Sequence, residues 1–312
     1  MGYAMQININ APCNVYVYNN TTEKESQETK GVNITESVDF HKKLQGLNKK
    51  NREVLKEYFQ NRKKYQKASR VENCTKVLIY KNYKLINYKT LQSANLCRER
   101  LCLNCNSVTA RKNAKMLSEI TKDLKLKHIT LSIKNCYGAN LRGSIEQMKR
   151  ALKTFLRQKK IKSYYQSYEI TYNEEEDTYH PHIHLLILSD DYKEPLRNLN
   201  RQWAESLNRL DGKKRRYLSC KIREVENNII GSFELSKYVT KPQDVNSRTI
   251  ATFDRELKGL HLHQANGIFK ERKKKYEFAE EKRAEELRNY LEPFDYELLR
   301  YIYNGENYIL ES

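Results

Sequence analysis

The sequence predicts an α+β protein built on an antiparallel sheet, and three observations carry that expectation. Short β-prone runs at His128–Ile133, Gln166–Tyr172 and Ile183–Leu188 are mixed with helical patterns rather than alternating with them regularly. Two of those runs are separated only by the turn-rich stretch Asn173–Thr178, which suits a hairpin. The helical stretches each carry one apolar face: Ile145, Met148, Leu152, Phe155 and Leu156 in Ser144–Lys160, and Leu196, Leu199, Trp203, Leu207 and Leu210 after Pro195.

In chain order, Met5–Tyr18 holds short β-prone pieces, and Asn19–Glu36 is a polar run with nothing to bury. Residues 1–37 therefore read as an arm, partly disordered. From Val38 to Arg70 the pattern is helical, with Leu44, Leu47, Val54, Leu55, Tyr58 and Phe59 set among lysines and arginines. Residues 38–125 read as a basic helical region that also carries a cysteine cluster. Ser144 with Gln147 has the form of a capping box. Leu218, Cys220 and Ile222 alternate as in a strand, and Ser232–Lys241 reads as a short helix stopped by Pro242. The main domain is expected at 126–275. The remainder, 276–312, reads as an acidic helical tail, because Ala279–Ser312 has four basic residues against nine acidic ones.

The whole chain of 312 residues has 58 Lys+Arg against 39 Asp+Glu, a net charge of +19. A surplus of that size predicts a polyanionic partner, since neutralised phosphates release counterions. No apolar run reaches the ~18 residues needed to span a bilayer, and Met1–Tyr18 lacks a charged n-region followed by an apolar h-region. These features predict a cytoplasmic protein without a membrane partner. Seven cysteines then read as reduced thiols or metal ligands rather than as a disulfide framework.

Three constellations could do chemistry. In a strand, residues two apart share a face, so His182 and His184 in Tyr179-His180-Pro181-His182-Ile183-His184 present two imidazoles side by side with Ile183 turned inward. That geometry suits one metal ion. Glu169 is the natural third ligand if its strand pairs with Ile183–Leu188, and a carboxylate makes the site acceptable to Mn²⁺ or Mg²⁺. His180 lies about 13 Å along the strand from His184, too far to share the ion. His261 and His263 form a competing pair without a following apolar strand, and read as a surface or interface pair. The second constellation is Glu234 and Tyr238, four apart and so on one face of a helix, a carboxylate beside a phenol. A Tyr can serve as a covalent nucleophile and a Glu as a base. The third is Cys97, Cys102 and Cys105, with Cys74 upstream. Cys102 and Cys105 have the C-x-x-C form of a structural zinc knuckle, and four thiolates would close a tetrahedral site.

Taken together, the motifs resemble the plasmid rolling-circle replication initiators of the HUH endonuclease superfamily. The residues that carry the resemblance are Cys97-Arg98-Glu99-Arg100-Leu101-Cys102-Leu103-Asn104-Cys105, Thr130-Leu131-Ser132, Tyr168-Glu169-Ile170-Thr171 with His180-Pro181-His182-Ile183-His184, and Glu234-Leu235-Ser236-Lys237-Tyr238, in that order. The resemblance runs from about Val38 to Lys275. It implies an HUH-like antiparallel sheet with packing helices, preceded by a helical, zinc-binding region. It further implies a strand-specific DNA nickase in which His182, His184 and Glu169 hold Mg²⁺ or Mn²⁺, Tyr238 forms a 5′-phosphotyrosine and leaves a 3′-OH primer, and Glu234 assists termination. Implied partners are single-stranded and origin DNA, a host helicase and polymerase in a bacterial cytoplasm, and a second copy in a homodimer. The alternatives are an HUH transposase or relaxase and, in another class, a non-catalytic zinc-containing DNA-binding regulator. Relaxases commonly place the tyrosine before the histidines, whereas Tyr238 follows His184.

Overall fold

A computed structural model describes residues 33–215, 218–225 and 246–311. Glu234, Tyr238 and the expected helix at Ser232–Lys241 lie outside the described residues, as do most of the expected N-terminal arm and Cys13. The chain divides into two compact units, one formed by residues up to Lys112 together with those from Glu277 onward, the other by Asn113–Tyr276.

The first unit opens with helices α1 (Ile34–Leu47), α2 (Lys49–Asn61) and α3 (Tyr65–Glu72). Helix α1 starts four residues before the expected Val38, because Asn33 caps it by accepting from the Glu36 amide at 3.4 Å. Ser37, expected in the arm, is fully buried and accepts a 2.6 Å hydrogen bond from the Tyr80 hydroxyl. Strands β1 (Val77–Tyr83) and β2 (Tyr88–Ala94) follow, in a stretch expected to be helical. They pair antiparallel, turning through Asn87, whose φ of 47° is the left-handed conformation that Asn tolerates. The end of the chain departs from expectation more strongly. Of the residues expected as a helical tail, those up to Leu291 are helical, but beyond them lie β9 (Glu297–Tyr303) and β10 (Tyr308–Leu310), and the sheet order is β10-β9-β1-β2. Leu78, Tyr80, Leu91 and Tyr308 make the core of that sheet, with Ile34 and Val38 of α1 packed on it.

The second unit is a mixed-length antiparallel sheet of order β7-β3-β6-β5-β8, with the short β4 (Cys136–Tyr137) also on β6. Its strands are β3 (Leu126–Ser132), β5 (Tyr164–Asn173), β6 (Thr178–Leu188), β7 (Lys221–Glu224) and β8 (His263–Asn266). The β5–β6 hairpin is the one expected from sequence. Its turn is tightened by the Asn173 side chain, which accepts from the amides of Glu175 and Glu176, and by Asp177 at φ 50°. Helix α4 (Leu103–Thr121) bridges the chain from the first unit's residues into this one.

Helix α5 (Leu141–Gln158) packs against β6 and against α6 (Leu196–Asp211). It begins at Leu141, three residues before the expected Ser144, so the Ser144–Gln147 box sits inside the helix and caps nothing. Pro195 occupies the N-cap of α6 with extended backbone, and Gly212 ends that helix in the left-handed conformation at φ 68°. Trp203 is completely buried edge-on to Phe155 and donates its indole N–H to the Ser132 carbonyl at 2.8 Å. It is a core residue, as its spacing predicts. Helix α7 (Ser247–Glu256) is closed by a true capping box between Asn246 and Thr249. Gly267, at φ 55°, joins β8 to α8 (Ile268–Leu291); a Cβ there would stand 2.7 Å from the Lys162 carbonyl oxygen, so glycine is required.

The central strands β3, β5 and β6 are largely buried, while the edge strands β7 and β8 are mostly exposed. The face bearing His182 and His184 is apolar at one end, where Leu126, Tyr165 and Leu186 pack under Met116, Leu117 and Ile120 of α4 and Phe269 of α8. The other end of the same face is polar and holds the candidate site.

Candidate metal centre and cysteine cluster

Strand register creates the first site. Glu169 of β5 stands directly opposite His182 of β6, and Ser167 opposite His184, so the carboxylate and both imidazoles share one face of two neighbouring strands. The contacts converge on a single oxygen: Glu169 Oε2 lies 3.0 Å from His182 Nε2 and 2.8 Å from His184 Nε2. All three ligand atoms lie within 4.8 Å of one another. The side chains are between 10% and 14% exposed, enough to restrict water while leaving an approach. Burial opposes the charge on Glu169, but its hydrogen bonds with His182 and His184 outweigh that and hold the carboxyl well below its ordinary range. An anionic oxygen and two imidazole nitrogens aimed at one point form a donor set that could hold a divalent ion.

His180 lies on the same face one step outward, its ring 5.6 Å from that of His182 and outside the convergent group. His263 pairs with Ser167 at the edge of the sheet, and it and His261 are exposed; neither joins a group of metal-ligating side chains among the described residues.

One residue at this site was not singled out from sequence. His128 of β3 is 4% exposed, and its Nε2 lies 3.0 Å from His184 Nδ1, the ring nitrogen facing away from Glu169. Its signal was present in the β-prone run His128–Ile133, since β3 pairs with β6 and places His128, Thr130 and Ser132 on the face of His184 and His182.

The second group is the cysteine cluster. Cys74 follows α3, Cys97 follows β2, and Cys102 and Cys105 lie at the start of α4. All four are buried, with Sγ atoms 3.6 Å apart for Cys74 and Cys105, 3.5 Å for Cys97 and Cys105, and 3.7 Å for Cys102 and Cys74. Hydrogen bonds from Cys105, Cys74 and Cys97 hold the Cys102 thiol far below its usual range, while the same crowding, Cys102 first, pushes Cys74 and Cys97 up. Backbone amides already point at sulfur: that of Cys97 at Cys74 Sγ, 3.4 Å, and that of Arg98 at Cys105 Sγ, 3.3 Å. Arg98 adopts φ 59° to make its turn. The surroundings are polar and interlocked. Asn51 accepts from the Leu103 amide at the head of α4, and buried Gln45 donates to the Cys74 carbonyl at 2.9 Å. Four thiols at these separations could hold a metal ion.

Comparison with known proteins bears on both groups. The sequence profile of the Replication protein family matches residues 88–298, well over half of the chain. The chain belongs to that family. Relatives of this replication protein include Protein rep of Streptococcus pneumoniae serotype 2, 26% identical over 217 residues, covering 61% of this chain and 66% of the relative. That share is just under two thirds of the streptococcal protein's length. Protein rep of a Bacillus species is 26% identical over 243 residues, covering 66% of this chain and 79% of its own. Protein rep of Staphylococcus aureus is 32% identical over 127 residues, covering 38% and 56%. No solved structure matches. The family agrees with the resemblance to plasmid replication initiators drawn from the motifs. The profile also takes in both groups in part or whole, since Cys97, Cys102, Cys105, Glu169, His182 and His184 fall inside it and Cys74 lies upstream. Among the described residues, no helix is long and apolar enough to cross a membrane.

Proposed function

We propose that this chain is a rolling-circle replication initiator with an HUH nuclease fold, which nicks one strand of origin DNA and remains joined to it through a tyrosine. The observation that carries the reading is the convergence of Glu169, His182 and His184 on one point of an antiparallel sheet, within a chain of the Replication protein family. A non-catalytic regulator would leave that arrangement unexplained.

Glu169, His182 and His184 would hold Mg²⁺ or Mn²⁺, which supplies Lewis-acid polarisation of the scissile phosphate. The sheet contributes rigidity: both ligand strands are fixed by a ladder ten residue pairs long, so the three donors are set before substrate arrives. The Tyr238 phenolic oxygen attacks phosphorus, forming the O–P bond as the bond to the 3′ oxygen breaks; the phenolic proton passes to solvent and the departing oxygen becomes the 3′-OH that primes synthesis. The phosphodiester energy is kept in the phosphotyrosine, which a later rejoining step needs. Glu234, four residues earlier, activates water or positions the terminating strand, so that one round closes. The four cysteines would hold a structural zinc that ties α3, β2 and α4 together. Single-stranded and origin DNA, a host helicase and a polymerase are the partners of such an enzyme, and the net charge of +19 suits the DNA.

The test is incubation with single-stranded DNA from the protein's own replicon, in Mn²⁺ or EDTA, with wild type and Tyr238→Phe run on a denaturing gel. A metal-dependent protein–DNA adduct that the mutant lacks is expected. Cleavage without an adduct would indicate a hydrolytic nuclease, and binding without either would indicate a regulator.

A further inference from the structure

A histidine that binds metal through Nε2 carries its ring proton on Nδ1, and that N–H needs an acceptor if the ring is to hold still. For His182, Nδ1 lies 3.3 Å from the His180 carbonyl oxygen, an acceptor supplied by its own strand. For His184 the atom facing Nδ1 is not on its own strand but is Nε2 of His128, at 3.0 Å. The ring planes are only 21° apart and the centroids 5.1 Å, the separation of two imidazoles joined edge to edge through a nitrogen pair. His128 is itself confined, being only 4% exposed, while Arg223 Nε approaches its other nitrogen, Nδ1, at 3.3 Å across the β3–β7 pairing. A buried imidazole is an unusual choice beside a metal ligand, since burying a polar ring costs free energy unless it is hydrogen-bonded.

We infer that His128 is a positioning residue of the metal centre, accepting the Nδ1–H of His184 so that His184 Nε2 is turned, unprotonated, toward the point shared with His182 and Glu169. The inference rests on the metal-binding reading above and deepens it. The hydrogen inventory adds a consequence. A neutral imidazole can accept at only one of its two nitrogens. Once His184 ligates through Nε2 and donates from Nδ1 to His128 Nε2, the ring proton of His128 sits on Nδ1, where Arg223 now points. The contact from Arg223 is the longer of the two and comes from an exposed side chain, so it is the one that yields.

The test is Mn²⁺ binding followed by electron paramagnetic resonance on the full, zinc-loaded chain, with the melting temperature of the same zinc-loaded protein measured alongside before Mn²⁺ is added. Wild type binds; His128→Ala weakens Mn²⁺ about 10- to 100-fold. His128→Gln, whose amide oxygen can accept the same proton, binds within a few-fold of wild type. Because the melt is made without Mn²⁺, a purely structural role would lower it in both variants without separating their affinities. Equal Mn²⁺ affinity in wild type and His128→Ala, or equal weakening in Ala and Gln, would overturn the inference. Should His128→Ala fail to fold, the Gln variant decides alone, and a 10-fold or greater loss in it counts against the inference. Failure of wild type to bind Mn²⁺ would instead overturn the metal reading itself.

Discussion

Glu169 and His182 face each other across the β5–β6 ladder, and the oxygen that reaches His182 at 3.0 Å is the same one that reaches His184 at 2.8 Å. Register alone makes this meeting possible, because a slip of one residue in β5 would turn Glu169 to the opposite face among the buried aliphatics. Replacing Glu169 by Gln keeps the shape and removes the charge. The expected result is Mn²⁺ affinity lower by more than about tenfold, read by calorimetric titration, with unchanged far-ultraviolet circular dichroism.

The cysteine cluster predicts one zinc per chain on elemental analysis of protein purified without chelator. Cys102→Ser is expected to lose that zinc and to melt at lower temperature, because one of four ligands is removed and three buried thiols are left facing a hydroxyl. Zinc retained at one per chain in this variant would count against a four-thiolate site.

His41 supplies a pH prediction within the first unit. It is buried in α1, with Nδ1 on the Ser37 carbonyl at 2.8 Å, and burial lowers its pKa from 6.5 to about 4, the Ser37 bond opposing and Arg111 adding to the fall. Between those values the unfolded chain takes up a proton that the folded chain refuses, so stability rises with pH through that window and is lost as pH drops from about 6.5 to about 4. The loss amounts to about 3 kcal/mol. His41→Gln, which does not titrate, is expected to flatten that limb in urea unfolding curves taken at pH 7, 5.5 and 4.5.

Trp203 tests the packing behind the site. Its ring is wholly buried against Phe155, and its N–H is bonded to the Ser132 carbonyl, one strand from His182. Trp203→Ala is expected to cost about 3–5 kcal/mol in urea unfolding, through the cavity and the orphaned carbonyl together.

Much of the site was legible because it is local. The two-residue spacing of His182 and His184 fixes their shared face in any strand, and the short Asn173–Thr178 turn brings Glu169 onto the neighbouring strand. His128 escaped notice because its approach depends on β3 pairing with β6, a contact 56 residues apart in sequence. The cysteines likewise come together only once β1 and β2, hidden within a stretch rich in helical signals, turn the chain back after Cys74. The helical reading of the tail followed its acidic composition. It overlooked Glu297–Tyr303, whose Leu, Tyr and Ile residues favour a strand and whose partner, β1, lies more than two hundred residues earlier. Composition reports solvation well and non-local pairing poorly.

The most direct test of the account is to identify the residue that carries DNA. Wild-type protein would be reacted with origin single-stranded DNA in Mn²⁺, trimmed with nuclease, digested with trypsin and sequenced by mass spectrometry. The account predicts a nucleotide-modified peptide whose phosphate is on Tyr238, absent in EDTA and absent from His182→Ala protein. A modification on another residue, or complete cleavage with every peptide unmodified, would contradict it.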